Sequence, residues 1–217
     1  MHVFIAGANG QIGQYLLQEM ADSDHEARAL IRHPGQGPEL QQLGATETVL
    51  GDLEQDCSEA MRGCDAVIFT AGSGPHTGPD KTIDVDQEGA IRLVDTARAM
   101  GIKRFIMVSS MRAEEPEKGP EKIRHYLRAK RNADEHLKNS GLNYTIVRPG
   151  RLTNEDGTGK VAVSSKLEAF GEIPREDVAR VLLAVLDSDN TDNRVFDVVS
   201  GDTPVAEALV NDRAGFL

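Results

Sequence analysis

The chain has 217 residues, 39% of them hydrophobic and 27% charged, with a formal net charge of −11 at pH 7. That length can bury a substantial core and fits one α/β unit, and the negative balance argues against nucleic acid or an anionic membrane as a main partner. No apolar run approaches the roughly 18 residues of a membrane span, and the N-terminus lacks the basic, apolar, small-residue order of a secretory signal, so a cytoplasmic location is expected.

The first strand is read over 2–6. It breaks at Gly7 and continues as an apolar-periodic helix over 11–22. Gly7 permits the tight turn, Gly10 lets the backbone approach a pyrophosphate, and Gly13 lets helix and strand pack closely. Asn9, Gln11 and Ile12 complete the turn and the first helical residues. The new helix points unpaired N–H groups and its positive dipole end at bound phosphates. A three-glycine pattern alone is weak, but here it follows the first strand and opens the first helix, as dinucleotide binding requires.

The second strand, 27–32, ends in Arg32–His33–Pro34, where an NAD-binding chain would carry an acid for the ribose 2′-hydroxyl. A guanidinium there suits a 2′-phosphate, so NADP(H) is expected ahead of NAD(H); otherwise Arg32 merely solvates a strand end. A third strand at 46–50 leads into Gly51–Asp52–Leu53 and a helix at 54–62, with Asp52 either accepting from the adenine amino group or capping that helix. The fourth strand, 65–71, closes on Ala71–Gly72, a small-residue surface for the cofactor's ribose and phosphates. A loop at 72–82 follows, and His76 lies within it.

Next come a helix at 84–100, a strand at 103–109 ending in Ser109–Ser110, a loop at 111–122 and a helix at 123–140. Strand 143–148, a segment at 150–174 with no long element, helix 175–187 and strand 194–199 complete the chain. The alternation implies a parallel sheet with helices on both faces and right-handed crossovers. The three loops begin at C-terminal strand ends, where ligands bind in such sheets.

Tyr126 and Lys130 stand four apart on the helix, hence on one face. A free phenol titrates near 10. A neighbouring ammonium, with the positive nicotinamide ring, would stabilise the phenolate and bring it toward working range, and Lys130 could also hold the nicotinamide ribose. Ser110 could hydrogen-bond a substrate carbonyl beside Tyr126. The alternative is a tyrosine packed on the core beside a solvated lysine. His76 and His125 could face the substrate, but each reads better as an ordinary surface histidine. Cys57 and Cys64, the only cysteines, match no zinc or redox spacing and are expected as free thiols, and the scattered histidines suggest no metal site.

With these parts located, the chain resembles the short-chain dehydrogenase/reductase superfamily, in its atypical, extended-like NAD(P)-binding branch of epimerase/dehydratase-like proteins. The resemblance is carried by Gly7-x-x-Gly10-x-x-Gly13, Arg32, Gly51–Asp52–Leu53, Val85–Asp86-x-x-Gly89, Lys103–Arg104–Phe105, Val108–Ser109–Ser110, Tyr126-x-x-x-Lys130, Tyr144 to Gly150, and Arg175–Glu176–Asp177–Val178–Ala179. It runs from residue 2 to about 200. It implies a Rossmann-type doubly wound sheet of order 3-2-1-4-5-6-7 in one domain, with 150–174 as a small substrate-side insert. It also implies a nicotinamide site at Ser110, Tyr126 and Lys130, with Pro149, Gly150 and Arg151 lining the nicotinamide end.

Asp86 departs from the asparagine many members carry there. The short insert also leaves little wall for a large nucleotide sugar. The reading is an NADP(H)-dependent oxidoreductase acting on a small carbonyl or hydroxyl substrate, with Tyr126 as proton donor or acceptor, Lys130 as its tuner and Ser110 as the orienting hydroxyl. The alternatives are a non-catalytic NADP(H)-binding sensor or assembly module, and an NAD(P)-dependent epimerase/dehydratase. The sequence does not indicate an oligomeric state.

Overall fold

The structure, a computed structural model, describes residues 1–72 and 78–211. His76 lies outside the described residues. The chain runs β1 (His2–Ala6), α1 (Gln11–Ala21), β2 (Glu26–Ile31), α2 (Gly37–Gln42), β3 (Glu47–Leu50), β4 (Ala66–Phe69), α3 (Pro79–Lys81), a π-helical stretch Thr82–Gly89, α4 (Ala90–Met100), β5 (Arg104–Val108) and α5 (Arg124–Lys138). It continues with β6 (Asn143–Pro149), β7 (Arg151–Thr153), β8 (Lys160–Ser164), β9 (Glu172–Pro174), α6 (Arg175–Leu186), β10 (Arg194–Ser200), β11 (Thr203–Pro204) and α7 (Val205–Asn211).

The main sheet has the order β3-β2-β1-β4-β5-β6-β10-β8-β11. Every pairing from β3 to β10 is parallel, whereas β8 and β11 are antiparallel additions at one edge. The expected order 3-2-1-4-5-6-7 is therefore present, with β10 as the seventh strand. β1 shows why the strands form where they do. Val3 and Ile5 enter one core and Phe4 and Ala6 the other, all four fully buried. β4 repeats the pattern, with Ala66 and Ile68 on one side and Val67 and Phe69 on the other. Burial on both faces is what makes parallel strands read as unbroken apolar runs. α1 and α6 cover the first core, α4 and α5 the second. Both cysteines are buried and unbridged, and burial pushes the Cys57 thiol up to about 11.

One stretch differs from the sequence expectation. Residues 54–62 form turns rather than a helix. Asp52 Oδ1 accepts from the Glu54 N–H at 3.0 Å, and Asp56 Oδ1 accepts from the Ser58 N–H at 2.9 Å. Such local side-chain bonds offer the backbone an alternative to helix, so Asp52 closes a turn and caps no helix. The segment 150–174 holds three short strands. β7 pairs with β9 in a separate two-stranded ladder, and β8 joins the main sheet.

Carboxylates at the start of α6 anchor this segment. Asp177, fully buried, accepts from the N–H groups of Thr158 (2.9 Å) and Gly159 (2.8 Å), and Glu176 accepts from that of Gly157 (2.7 Å). The motif Arg175–Glu176–Asp177 thus works as a structural clasp. No helix among the described residues is long and apolar enough to cross a membrane.

Candidate active site

The glycine turn between β1 and α1 is built by close backbone approach. Gly7 has φ +90°, and a Cβ there would sit 2.5 Å from the Ala71 nitrogen at the end of β4. A Cβ on Gly13 would lie 2.3 Å from the Gly7 carbonyl oxygen and 2.7 Å from the Ala8 Cα, so helix and strand touch only because it is glycine. Gly10 differs: the one atom near its missing Cβ is the Gly7 oxygen, at 3.2 Å.

Asn9, Gly10 and Gln11 are exposed, while Ile12 is buried and holds α1 to the core. No side chain caps the start of α1 and no acid stands in its first turn, so the leading N–H groups and the dipole are free to meet an anion. The turn is a cradle that a side chain would fill, which fits the diphosphate of a dinucleotide.

The other expected cofactor residues line the same edge of the sheet. Arg32 and His33 follow β2, both exposed, and Gln36 Oε1 accepts from their backbone N–H groups at 2.9 and 3.1 Å. The Arg32 guanidinium has no ion-pair or side-chain hydrogen-bond partner among the described residues. Leu53 lies against Gly89, where a Cβ would meet the leucine Cβ at 3.2 Å. Ala71 is buried and Gly72 exposed beyond β4.

Pro149, Gly150 and Arg151 form the end of β6 and its continuation, with the Gly150 N–H donating to Val198 (3.0 Å) and that of Arg151 to Gly171 (2.9 Å). The Arg151 guanidinium is ion-paired with Glu172, so its charge is already engaged across the β7–β9 ladder.

Tyr126 and Lys130 share the inner face of α5. The ammonium lies 5.6 Å from the centroid of the Tyr126 ring and 5.7 Å from that of Phe69. It is not solvated. Lys130 donates to the Val108 carbonyl at 3.3 Å and stands 3.1 Å from Asp86 Oδ1, with both side chains buried. Burial works against the ammonium, but Asp86, with Tyr126 and Asp134, holds the lysine above its ordinary value. The Ser110 hydroxyl is half-buried and donates to the Met111 carbonyl at 3.2 Å, and it favours the ionised form of the Tyr126 phenol.

The phenol without cofactor is held by its surroundings. Burial pushes Tyr126 above the ordinary tyrosine value, while Lys130 and Ser110 pull the other way without prevailing. Sequence spacing reveals the lysine but neither the burial nor the carboxylate that faces the lysine.

Sequence reading missed a second buried group beneath the first. Asp134, fully buried one turn beyond Lys130, accepts from Ser109 Oγ at 2.9 Å and from two nitrogens of Arg148 at 3.1 and 2.9 Å. Its Oδ1 has no hydrogen-bond partner among the described residues, and burial raises its pKa against the pull of Arg148. This network ties α5 to the ends of β5 and β6, and so orients Tyr126 relative to Ser110. Its partly legible signal was the i, i+4 run Tyr126, Lys130, Asp134.

The loop after β5 also meets the 150–174 segment. Arg112, with φ 69°, stacks over Phe170 at 4.6 Å, and Lys166 pairs with Glu115 at 3.1 Å. His125 is exposed.

The site therefore joins a phosphate-ready glycine turn to a half-buried phenol beside a buried ammonium, at the C-terminal edge of a doubly wound sheet. The model of the NAD(P)H-binding family matches residues 7–189. The chain belongs to that family. Its cofactor is a nicotinamide dinucleotide.

A Bacillus subtilis (strain 168) protein named an uncharacterized sugar epimerase, YhfK, is 51% identical over 213 residues, covering 96% of this chain and 99% of its own. A solved Bacillus halodurans protein with the provisional name NAD-dependent epimerase/dehydratase is 50% identical with a TM-score of 0.95, covering 97% of this chain and 99% of its own. The sanguinarine reductase of Eschscholzia californica is 27% identical over 266 residues, covering 99% of this chain and 94% of its own.

Proposed function

We propose that this protein is an NADP(H)-dependent reductase of the short-chain dehydrogenase/reductase type, acting on a small carbonyl substrate. The observation that carries the reading is the Tyr126 phenol set on one helix face beside the buried Lys130, whose ammonium lies 5.6 Å from its ring, on the sheet edge that also holds the glycine turn. The reduced nicotinamide, when bound, supplies a hydride to the carbonyl carbon. Tyr126 donates its proton to the carbonyl oxygen, and Ser110 orients that oxygen by hydrogen bonding. The product alcohol leaves a tyrosinate that regains its proton from solvent.

The name of the Bacillus subtilis relative supports a competing reading, reversible oxidation at a sugar carbon. Much of the 150–174 segment that would wall a nucleotide sugar is committed to β7, β8 and β9, so we favour a small substrate. Oxidation of NADPH, followed by absorbance across a panel of aldehydes, ketones and quinones, tests the reading. Turnover of at least one compound is expected. Tight NADPH binding with none turned over would sink it in favour of a non-catalytic NADP(H)-binding role.

The NADP(H) preference rests on Arg32. The free guanidinium beyond β2 offers paired donors to a 2′-phosphate. Arg32→Ala is expected to remove a charged hydrogen bond worth about 1.5–3 kcal/mol, weakening NADPH binding roughly ten- to a hundredfold with NADH binding little changed. Isothermal titration with both cofactors reads the ratio, and an unchanged ratio would refute the assignment.

A further inference from the structure

Asp86 is fully buried in the π-helical stretch between β4 and α4, and it faces the Lys130 ammonium at 3.1 Å. π-Turns inside helices recur at functional sites. This one carries the Asp86 carboxylate under the end of β4: a Cβ on Gly72 would lie 3.3 Å from Asp86 Oδ1. The carboxylate and the ammonium therefore act on the phenol together. An ammonium alone at this range favours the phenolate, and a carboxylate alone opposes it. As a buried pair they oppose each other at the phenol.

The groups facing Tyr126 can be named element by element. α5 contributes Lys130 and Asp134, and the π-helical stretch contributes Asp86. β5 contributes only the neutral Ser110, and Arg148 of β6 offsets Asp134 through its two hydrogen bonds. Among the described residues Lys130 is thus the cation nearest the phenol, and Asp86 opposes its effect.

We propose that Asp86 is the tuning residue of the site, a buried counter-ion that opposes the field of Lys130 on Tyr126 and so keeps the phenol a neutral proton donor, poised for carbonyl reduction rather than alcohol oxidation. The directional part rests on the reductase reading above; the electrostatic part does not. Asp86 acts through Lys130 and is a positioning residue.

The test needs no substrate. The chain has three tyrosines and no tryptophan, so phenol ionisation is read directly from the near-ultraviolet tyrosinate band, with Tyr126→Phe variants supplying the baseline. In the cofactor-free protein Tyr126 should ionise above the ordinary tyrosine midpoint of about 10. In Asp86→Asn that midpoint should fall by about 1–2 pH units, the effect of an unopposed neighbouring charge. The double variant Asp86→Asn/Lys130→Met, which replaces an opposed pair by two neutral side chains, should return the midpoint close to the wild-type value.

Asp86→Ser gives the same reading should Asp86→Asn fail to fold. An unmoved midpoint in the single variant overturns the proposal. So does a rise, which would mean that the carboxylate serves to keep Lys130 protonated. The NADPH oxidation screen is scored separately, so loss of the reductase reading and loss of the tuning role are distinguishable.

Discussion

Tyr126→Phe is expected to cut turnover of any carbonyl substrate by about 10² to 10⁴, the usual contribution of general acid–base catalysis, while leaving NADPH affinity within a few-fold. The variant removes one hydroxyl and leaves the ring, so the fold should survive, and Ser110 keeps its bond to the Met111 carbonyl. The phenol is held above the ordinary tyrosine value by burial, and the proton-bearing form is the active one in reduction. Wild-type activity should therefore persist through neutral pH and fall only as pH rises through the raised phenol value. Lys130→Ala should be worse in a different way. It leaves the Asp86 carboxylate buried beside the phenol without its ammonium, an arrangement that costs far more than the pair itself contributes, and a lowered melting temperature should accompany the lost activity. Near wild-type turnover in Tyr126→Phe would make the tyrosine structural and remove the mechanism.

What could be read from the sequence divides along a physical line. Features enforced by local covalent constraints were visible. Gly7 needs positive φ and Gly13 admits no Cβ, and both stand at a strand-to-helix junction that chain order alone reveals. The doubly buried strands announce themselves as unbroken apolar runs, because a sheet covered on both faces needs no alternation. The stretch 54–62 was misread as helix because Asp52 and Asp56 suit helix starts and turns equally, and only the tertiary setting selects between them.

Nothing local predicts that Asp86 reaches Lys130, which is 44 positions away in the chain, or that Ser109, Asp134 and Arg148 converge from three elements. Such contacts follow from how the sheet and α5 pack. They also decide the electrostatics of the phenol, so the direction of its shift was the part of the site least accessible to sequence reading. Arg151 makes the same point on the surface: a basic residue after Gly150 is a reasonable cofactor ligand until Glu172 of β9 is found beside it.

Gly10→Val is expected to abolish cofactor binding in a protein that still folds, and Gly13→Val to damage folding itself. At Gly10 the space around the missing Cβ is open except for one carbonyl oxygen 3.2 Å away, and φ is −77°, so an ordinary side chain fits the apo backbone. It would then occupy the surface through which the diphosphate must approach the N–H groups of α1. At Gly13 a Cβ would press within 2.3 Å of the Gly7 oxygen and 2.7 Å of the Ala8 Cα. These are backbone atoms that can yield only if α1 leaves its seat on β1.

The two variants should separate cleanly in thermal melts. A ligand held at a hundred times its dissociation constant stabilises by about 2.7 kcal/mol, a rise of roughly 5–10 °C for a chain of this size. Wild type should show that rise with NADPH. Gly10→Val should melt near the wild-type apo temperature and show no rise, whereas Gly13→Val should melt markedly lower before any ligand is added. An undiminished ligand-induced rise in Gly10→Val would place the phosphates elsewhere than the β1–α1 turn, and the assignment of the cofactor site would fall with it.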